Sequence, residues 1–494
     1  MKRTFAVGTA FFLCAITAFA HVGSPDVYAD GQAGPYRLSV VVRPPLVIPG
    51  VAEIEVRAQT SGIDRISITP VPMIGEAAKH PPVPDTMARP SGDPQYFTGN
   101  LWIMEPGSWE IRFVVNGSQG QGTVSIPLPA AAMATRKMQP GLGVILGALG
   151  ILLLLGMVGI VGAAARQAQL PPGEVPATQG RAYVAMTVTF AVLVAAVILG
   201  NRWWKSEAAG YSLNVYKPLQ MTPVLEPGNV LDLRLHDPGW LAQRQLDDFV
   251  PDHNHLMHLY LIRWPQMDVV FHLHPDPVAT GEFQLTLPSM PAGDYHLYAD
   301  VVHANGFPET LEAAAILPKI SGRPLAGDDA EGEAKPVQAS QPVPNPSRQQ
   351  RFPLPDGFTM VWEMPASLTP KTPESFRFDL LDPQGRPPAD MAFYMGMLGH
   401  AAFVKTDGTV FAHIHPTGTM AMAAFMMANP QAPMNPGARM DMPGMAMNNG
   451  ALPNTVSFPY GFPTAGRYRI FVQMKHGSTV ETGVFDAQVP PAGK

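Results

Sequence analysis

Glu53-Ile54-Glu55-Val56-Arg57-Ala58 decides the fold class, because charged and apolar side chains alternate with a period of two and so segregate to opposite faces of a strand. Trp109, Ile111, Phe113 and Val115 repeat the pattern, as do Leu231, Leu233 and Leu235 against Asp232, Arg234 and His236. Half-buried strands of this kind build sandwiches, and 54 Pro and 46 Gly in 494 residues suit strands joined by turns better than long soluble helices. The expected fold is mainly β: three Ig-like or cupredoxin-like β-sandwich domains plus a two-helix transmembrane hairpin. Working outward along the chain, the expected boundaries are a signal peptide at 1–20, an N-terminal β-sandwich at 21–137, transmembrane helix 1 at 138–166 and a short cytoplasmic loop at 167–181. Transmembrane helix 2 follows at 182–200, a second β-sandwich with a His cluster at 201–320 and a flexible linker at 321–350. A third β-sandwich with a His cluster closes the chain at 351–494 and carries a Met-rich insertion at 417–454.

The membrane segments follow from charge and length. Residues 142–165 and 182–199 contain no charged side chain, and as helices they would span about 36 and about 27 Å at roughly 1.5 Å per residue. Arg166 and Arg181 stand at the membrane edges of the short connection, with Trp203-Trp204 as an interfacial anchor after the second span. Neither span holds an Asp, Glu, Lys, Arg or His, the usual mark of an ion pathway, so they read as an anchor to the lipid bilayer. Gly143-x-x-x-Gly147 would allow close approach of the hairpin partner or, alternatively, of a second copy.

The first twenty residues have the layout of a secretory signal: Lys2 and Arg3, an apolar run at 6–15, and Ala18-Phe19-Ala20 before His21. Export followed by two crossings places the three β domains on the periplasmic or exterior side of a bacterial inner membrane. Cys14, the sole cysteine, leaves with the signal, which excludes disulfides, cysteine zinc sites, iron-sulfur clusters and a thiol nucleophile. Without Lys2 and Arg3 the 33 Lys+Arg become 31 against 39 Asp+Glu, an acidic balance unsuited to nucleic acid. No Ser-His-Asp array or phosphate-binding loop is evident, and no catalytic residue is assigned.

An internal repeat carries the chemistry. Met257-His258, Val270-Phe271-His272-Leu273-His274-Pro275, Ala292-Gly293-Asp294-Tyr295 and His303 recur as Gly399-His400, Val410-Phe411-Ala412-His413-Ile414-His415-Pro416, Ala465-Gly466-Arg467-Tyr468 and His476. Residues two apart on a strand share a face at about 6.6 Å, so His272 with His274, and His413 with His415, form pairs able to converge on one ion. His258 and His400 open the preceding strands and could lie across from those pairs, while His303 and His476 fall in phase with the apolar face. The alternative is that these rings only hydrogen-bond one another, or backbone carbonyls, at a sandwich rim.

Methionine narrows the metal. Met257, Met395 and Met397 stand beside the imidazoles, and thioether sulfur favours Cu(I). The insertion adds Met420, Met422, Met426, Met427, Met434, Met440, Met442, Met445 and Met447, either as ligands or as a pliable low-complexity surface. A mature His21 would offer its α-amine and ring nitrogen to one ion, with His80 the only other histidine in that region.

The His21 start on a small sandwich resembles CopC-type periplasmic copper-binding proteins, and its terminal chelation is similar to that of lytic polysaccharide monooxygenases. The Met-His and Phe-(x)-His-x-His-Pro elements resemble YtkA-like envelope sandwich domains associated with copper handling. The resemblance implies copper at His21, His258, His272, His274, His400, His413 and His415. The function expected is a membrane-anchored copper-binding protein that buffers the ion or passes it to another envelope copper protein. A metal-free structural or interaction module and an oxidative copper enzyme using His21 are the alternatives.

Overall fold

The structure is a computed structural model that describes residues 25–167, 170–175, 179–241, 244–337, 349–430 and 452–491. The signal sequence, His21 and the methionines at 434–447 lie outside the described residues. The chain is mainly β. In the N-terminal sandwich the strands Val27–Ala33, Tyr36–Arg43, Gly50–Ala58 and Tyr96–Ile103 face Asp85–Thr86, Ile63–Pro72, Gly107–Gly117 and Gly120–Ala130. Ile54, Val56, Ala58, Ile111, Phe113 and Val115 are all buried in the core between these sheets, on the faces their alternation dictates.

The second and third sandwiches each pair a four-stranded outer sheet with a five-stranded inner sheet. The second inner sheet runs Pro308–Leu317, Gly293–Val302, His258–Trp264, Val269–Leu273 and Ala330–Glu333. In the third, Gly466–His476 pairs with Thr479–Val489, Met391–Ala392 and Gly399–Lys405, and Gly399–Lys405 pairs in turn with Phe411–Ile414. The inner sheets also pack against each other: Tyr260, Ile262, Val270 and Tyr298 form one buried cluster with Ala402, Val404, Phe411 and Phe471. Each inner sheet is therefore covered on both faces, which explains unbroken apolar runs such as Leu259-Tyr260-Leu261-Ile262. Along that strand Met257, Leu259 and Leu261 enter the second sandwich's own core, while Tyr260 and Ile262 face the third sandwich.

Two long helices, α1 (Pro140–Gln167) and α2 (Gly180–Leu213), are long and apolar enough to cross a membrane. The second exceeds its expected end at residue 200 because nothing from Arg202 to Ala209 breaks a helix. At 34 residues it is about 51 Å long, well beyond a hydrocarbon core of about 30 Å. Gly143 and Gly147 do not form the hairpin contact: a Cβ on Gly147 would meet nothing within 4 Å, and one on Gly143 would meet only Met138. Gly162 makes the close approach, since a Cβ there would stand 2.6 Å from Met186 Cγ.

The flexible linker expected at 321–350 is corrected by the structure at both of its described ends. Ala330–Glu333 adds a strand to the second inner sheet with Ala330 opposite His272, and Gln349–Pro353 pairs with Thr359–Glu363. Part of the Met-rich insertion is ordered by the N-terminal sandwich. Helix α3 (Met422–Ala428) is followed by Asn429, whose side chain accepts from the Ser125 N–H at 2.8 Å and donates to the Ser125 carbonyl at 2.7 Å. Met420 is buried in the N-terminal core.

Candidate metal centre

The contact between the two inner sheets is apolar at one place and almost pure imidazole at another. Tyr260 lies opposite His272 and Ala402 opposite His413 in antiparallel ladders, registers that carry His258 towards His274 and His400 towards His415. Period-two alternation then turns these rings out of their own cores and towards the other sandwich. The duplicated strands meet face to face, so the two histidine sets merge. His258 and His413 have ring centroids 5.5 Å apart, and His272 and His400 6.3 Å.

Two further rings come from a turn outside the repeated motifs. Asp252-His253-Asn254-His255 is a tight hairpin in which Asp252 and His255 exchange backbone hydrogen bonds at 2.8 and 3.0 Å. Its central residues have φ of 50° and 71°, the conformation of a type I′ turn. Positive φ is uncommon outside glycine, and asparagine and histidine are among the residues that adopt it most readily. The turn carries His253 across the domain boundary, to ring-centroid distances of 5.0 Å from His400 and 4.9 Å from His415. His255 stacks on His274 at 3.9 Å. The overlooked signal was His-x-His spacing, present here as in the two strand pairs.

Eight histidines thus converge, and six of them form two trios, His258/His272/His274 and His253/His400/His415. Within each trio one potential ligand atom per residue lies within 4.8 Å of the others. The hydrogen-bond partners assign a tautomer to each ring. His258 Nε2 faces the Asp252 carbonyl at 3.0 Å, and a carbonyl only accepts, so Nε2 holds the hydrogen and Nδ1 the lone pair. His272 Nδ1 faces Gln473 Oε1 at 2.9 Å and therefore donates, leaving its lone pair on Nε2. In that tautomer the two lone pairs face each other across 3.2 Å, the distance at which one ring would otherwise donate to the other. Burial and then the neighbouring rings hold both imidazoles well below the usual histidine range, which disfavours an extra proton between them. A metal cation would accept both lone pairs.

The remaining ligand atoms follow the same logic. His274 Nδ1 donates to Asp329 at 3.0 Å, leaving Nε2 buried without a partner. Asp329, from the segment expected to be a tether, is pushed up to about 6 chiefly by burial. His415 Nδ1 donates to the Met420 carbonyl at 3.3 Å, and Nε2 of His415, His400 and His253 are all buried and unpartnered. Such orphans are rare in folded proteins. His413 lies between the trios: its Nδ1 donates to Asp300 at 3.0 Å while its Nε2 faces His400 Nδ1 at 3.2 Å, so it orients His400. A ligating histidine tied to a carboxylate or carbonyl through its second nitrogen is the usual outer-shell pattern of metal sites.

The other residues expected as ligands are placed elsewhere. His303 and His476 have the wrong parity, lying in phase with Tyr295, Leu297, Ala299 and Val301, and with Tyr468, Ile470, Val472 and Met474, which fill their own sandwich cores. His303 is clamped between Asp248 at 2.7 Å and Glu309 at 3.0 Å, leaving no ring nitrogen free. Burial lowers its pKa, but hydrogen bonds to Glu309 and Asp248 outweigh burial and the net shift is upward. His476 joins Asp356 and Glu481 in a separate group with ligand-like spacing. Met257 points into the second core, Met397 packs against Met422, and Met395 clusters with Ala330 and Tyr394.

Residues 354–491, most of the third sandwich, match a family model described as a domain of unknown function, DUF8832. No curated protein matches the sequence. Among solved structures the chain is similar to a tetra-tandem repeat from the extending region of a large adhesion protein, at 8% identity and TM-score 0.16, covering 90% of this chain and 71% of that one. A bacterial ice-binding adhesin is 7% identical with TM-score 0.15, covering 93% and 99%. Salmonella alpha-2-macroglobulin mutant Y1175G is 8% identical with TM-score 0.20, covering 93% of this chain and 24% of that one. At these TM-scores the likenesses carry no argument, and the family match spans less than a third of the chain.

Proposed function

We propose that this is a membrane-anchored copper-binding protein of the bacterial periplasm that buffers or delivers copper, holding one ion in each histidine trio between its second and third sandwiches. The observation that carries the reading is the ligand-like spacing of the two trios, with His258 Nδ1 and His272 Nε2 3.2 Å apart, together with the buried, unpartnered Nε2 atoms of His253, His274, His400 and His415. Three neutral imidazoles without thiolate or carboxylate suit copper or zinc, and copper(II) stands above zinc in affinity for nitrogen donors. Selection by thioether sulfur is not needed. Periplasmic placement rests on the signal-like start and the two apolar helices.

The test is elemental analysis of the detergent-solubilised full chain after copper loading and desalting. Two copper ions per chain are expected, falling to one in His272→Ala and to one in His415→Ala, with a copper-dependent rise in Tm. No copper above background, or unchanged content in both variants, rejects the reading.

A further inference from the structure

The trios are buried, so an ion needs a way in. A cavity of about 1100 Å³ runs between the sandwiches, and its wall includes His258, His413 and His415. The same wall includes Ala131 and Met133, just before α1, and Val215 and Lys217, just after α2. These two connections are tied together, with the Tyr216 N–H donating to the Ala132 carbonyl at 2.8 Å. One cavity therefore touches both the imidazole cluster and the roots of the two apolar helices.

Its chemistry suits a cation. Asp300 and Glu312 line it from adjacent strands of one hairpin; Asp300 lies opposite Thr310, and Glu312 is two residues further along, hence on the same face. Asp300 already holds His413. Glu312 Oε1 is buried with no partner, as is Nε2 of His415, whose residue is only 3% exposed. The volume is many times the roughly 30 Å³ share of one water, so an ion could enter hydrated and exchange waters for carboxylate and then imidazole. Burial pushes Glu312 up to about 7, so the carboxylate gains from a neighbouring positive charge.

We propose that this cavity is the route by which copper reaches and leaves the histidine trios, entering at the end nearest the two helices and passing the carboxylates of Asp300 and Glu312. The inference rests on the copper reading and concerns rates, not affinity. The experiment follows transfer of Cu(II) from a chromogenic chelator to the detergent-solubilised full chain by stopped flow, and the reverse transfer to excess chelator. Glu312→Gln removes the charge without changing shape. Ala421→Trp adds bulk at another wall residue that ligates nothing.

Loading in Glu312→Gln is expected to slow about tenfold, the lower end of rate effects from charge in a cleft, with copper per chain unchanged. In Ala421→Trp loading and release are expected to slow by the same factor, leaving affinity unchanged, and circular dichroism matching wild type guards against misfolding. Full copper content with wild-type rates in both variants overturns the route while leaving the copper sites standing. Absence of copper from the wild-type chain overturns both.

Discussion

The two trios look alike in composition but not in construction. His258, His272 and His274 all come from the second sandwich, whereas His253, His400 and His415 draw one ring from the second and two from the third. The source of the asymmetry is one turn. Asp252-His253-Asn254-His255 in the second sandwich corresponds to Tyr394-Met395-Gly396-Met397 in the third; both turns have positive φ at their central residues and both close the same way. Duplication preserved the backbone and the strand histidines, while the turn side chains diverged. One ion would therefore belong to a domain and the other to the contact between domains.

That difference has a large expected effect. His253→Ala should remove the interdomain ion and spare the other, with copper per chain falling from two to one. Because that ion would bridge the two sandwiches, its loss should also raise the protease sensitivity of the loaded chain. Loss of both ions together would show that the trios do not act separately.

Acid should act on the metal-free chain through the same rings. His258, His272, His274, His400 and His415 are all held below the ordinary histidine value, chiefly by burial. A depressed folded pKa means that the unfolded chain binds the proton more tightly, so stability is full above the unfolded value of about 6.5 and falls as pH drops towards the folded value. Each ring contributes at most about 1.4 kcal/mol per pH unit below that point. Denaturant midpoints from pH 7.5 to 5 should fall steeply in wild type and less steeply in His258→Gln. His303 has the opposite sign: its raised pKa stabilises below about 6.5 and that contribution fades as pH rises through the folded value.

Smaller effects separate the trios again. Asp329→Asn should weaken only the ion of the second-sandwich trio, by the roughly 10–100-fold typical of outer-shell partners, since Asp329 orients His274 alone. The smallest expected change is none: His476→Ala, beside Asp356 and Glu481, should leave copper at two per chain. A drop would assign that third group to copper as well.

Much of this was legible in the sequence. Alternation at Ile54, Val56 and Ala58 and the apolar runs of α1 and α2 read directly, because each depends on local periodicity. The repeat also exposed His258, His272, His274, His400, His413 and His415. Parity could have removed His303 and His476, since their phase with Tyr295 and Tyr468 turns them into their own cores rather than towards the other sandwich. His253 was hidden because the corresponding residue of the repeat is Met395. Asp329 was hidden by a composition typical of tethers, and the face-to-face meeting of the sheets is a tertiary fact that no local pattern contains.

The most direct measurement is a crystal structure of the copper-loaded chain with anomalous differences collected at the copper absorption edge. Two peaks are expected, one bounded by His258, His272 and His274 and the other by His253, His400 and His415. Anomalous density elsewhere on the chain with both trios empty would contradict the assignment.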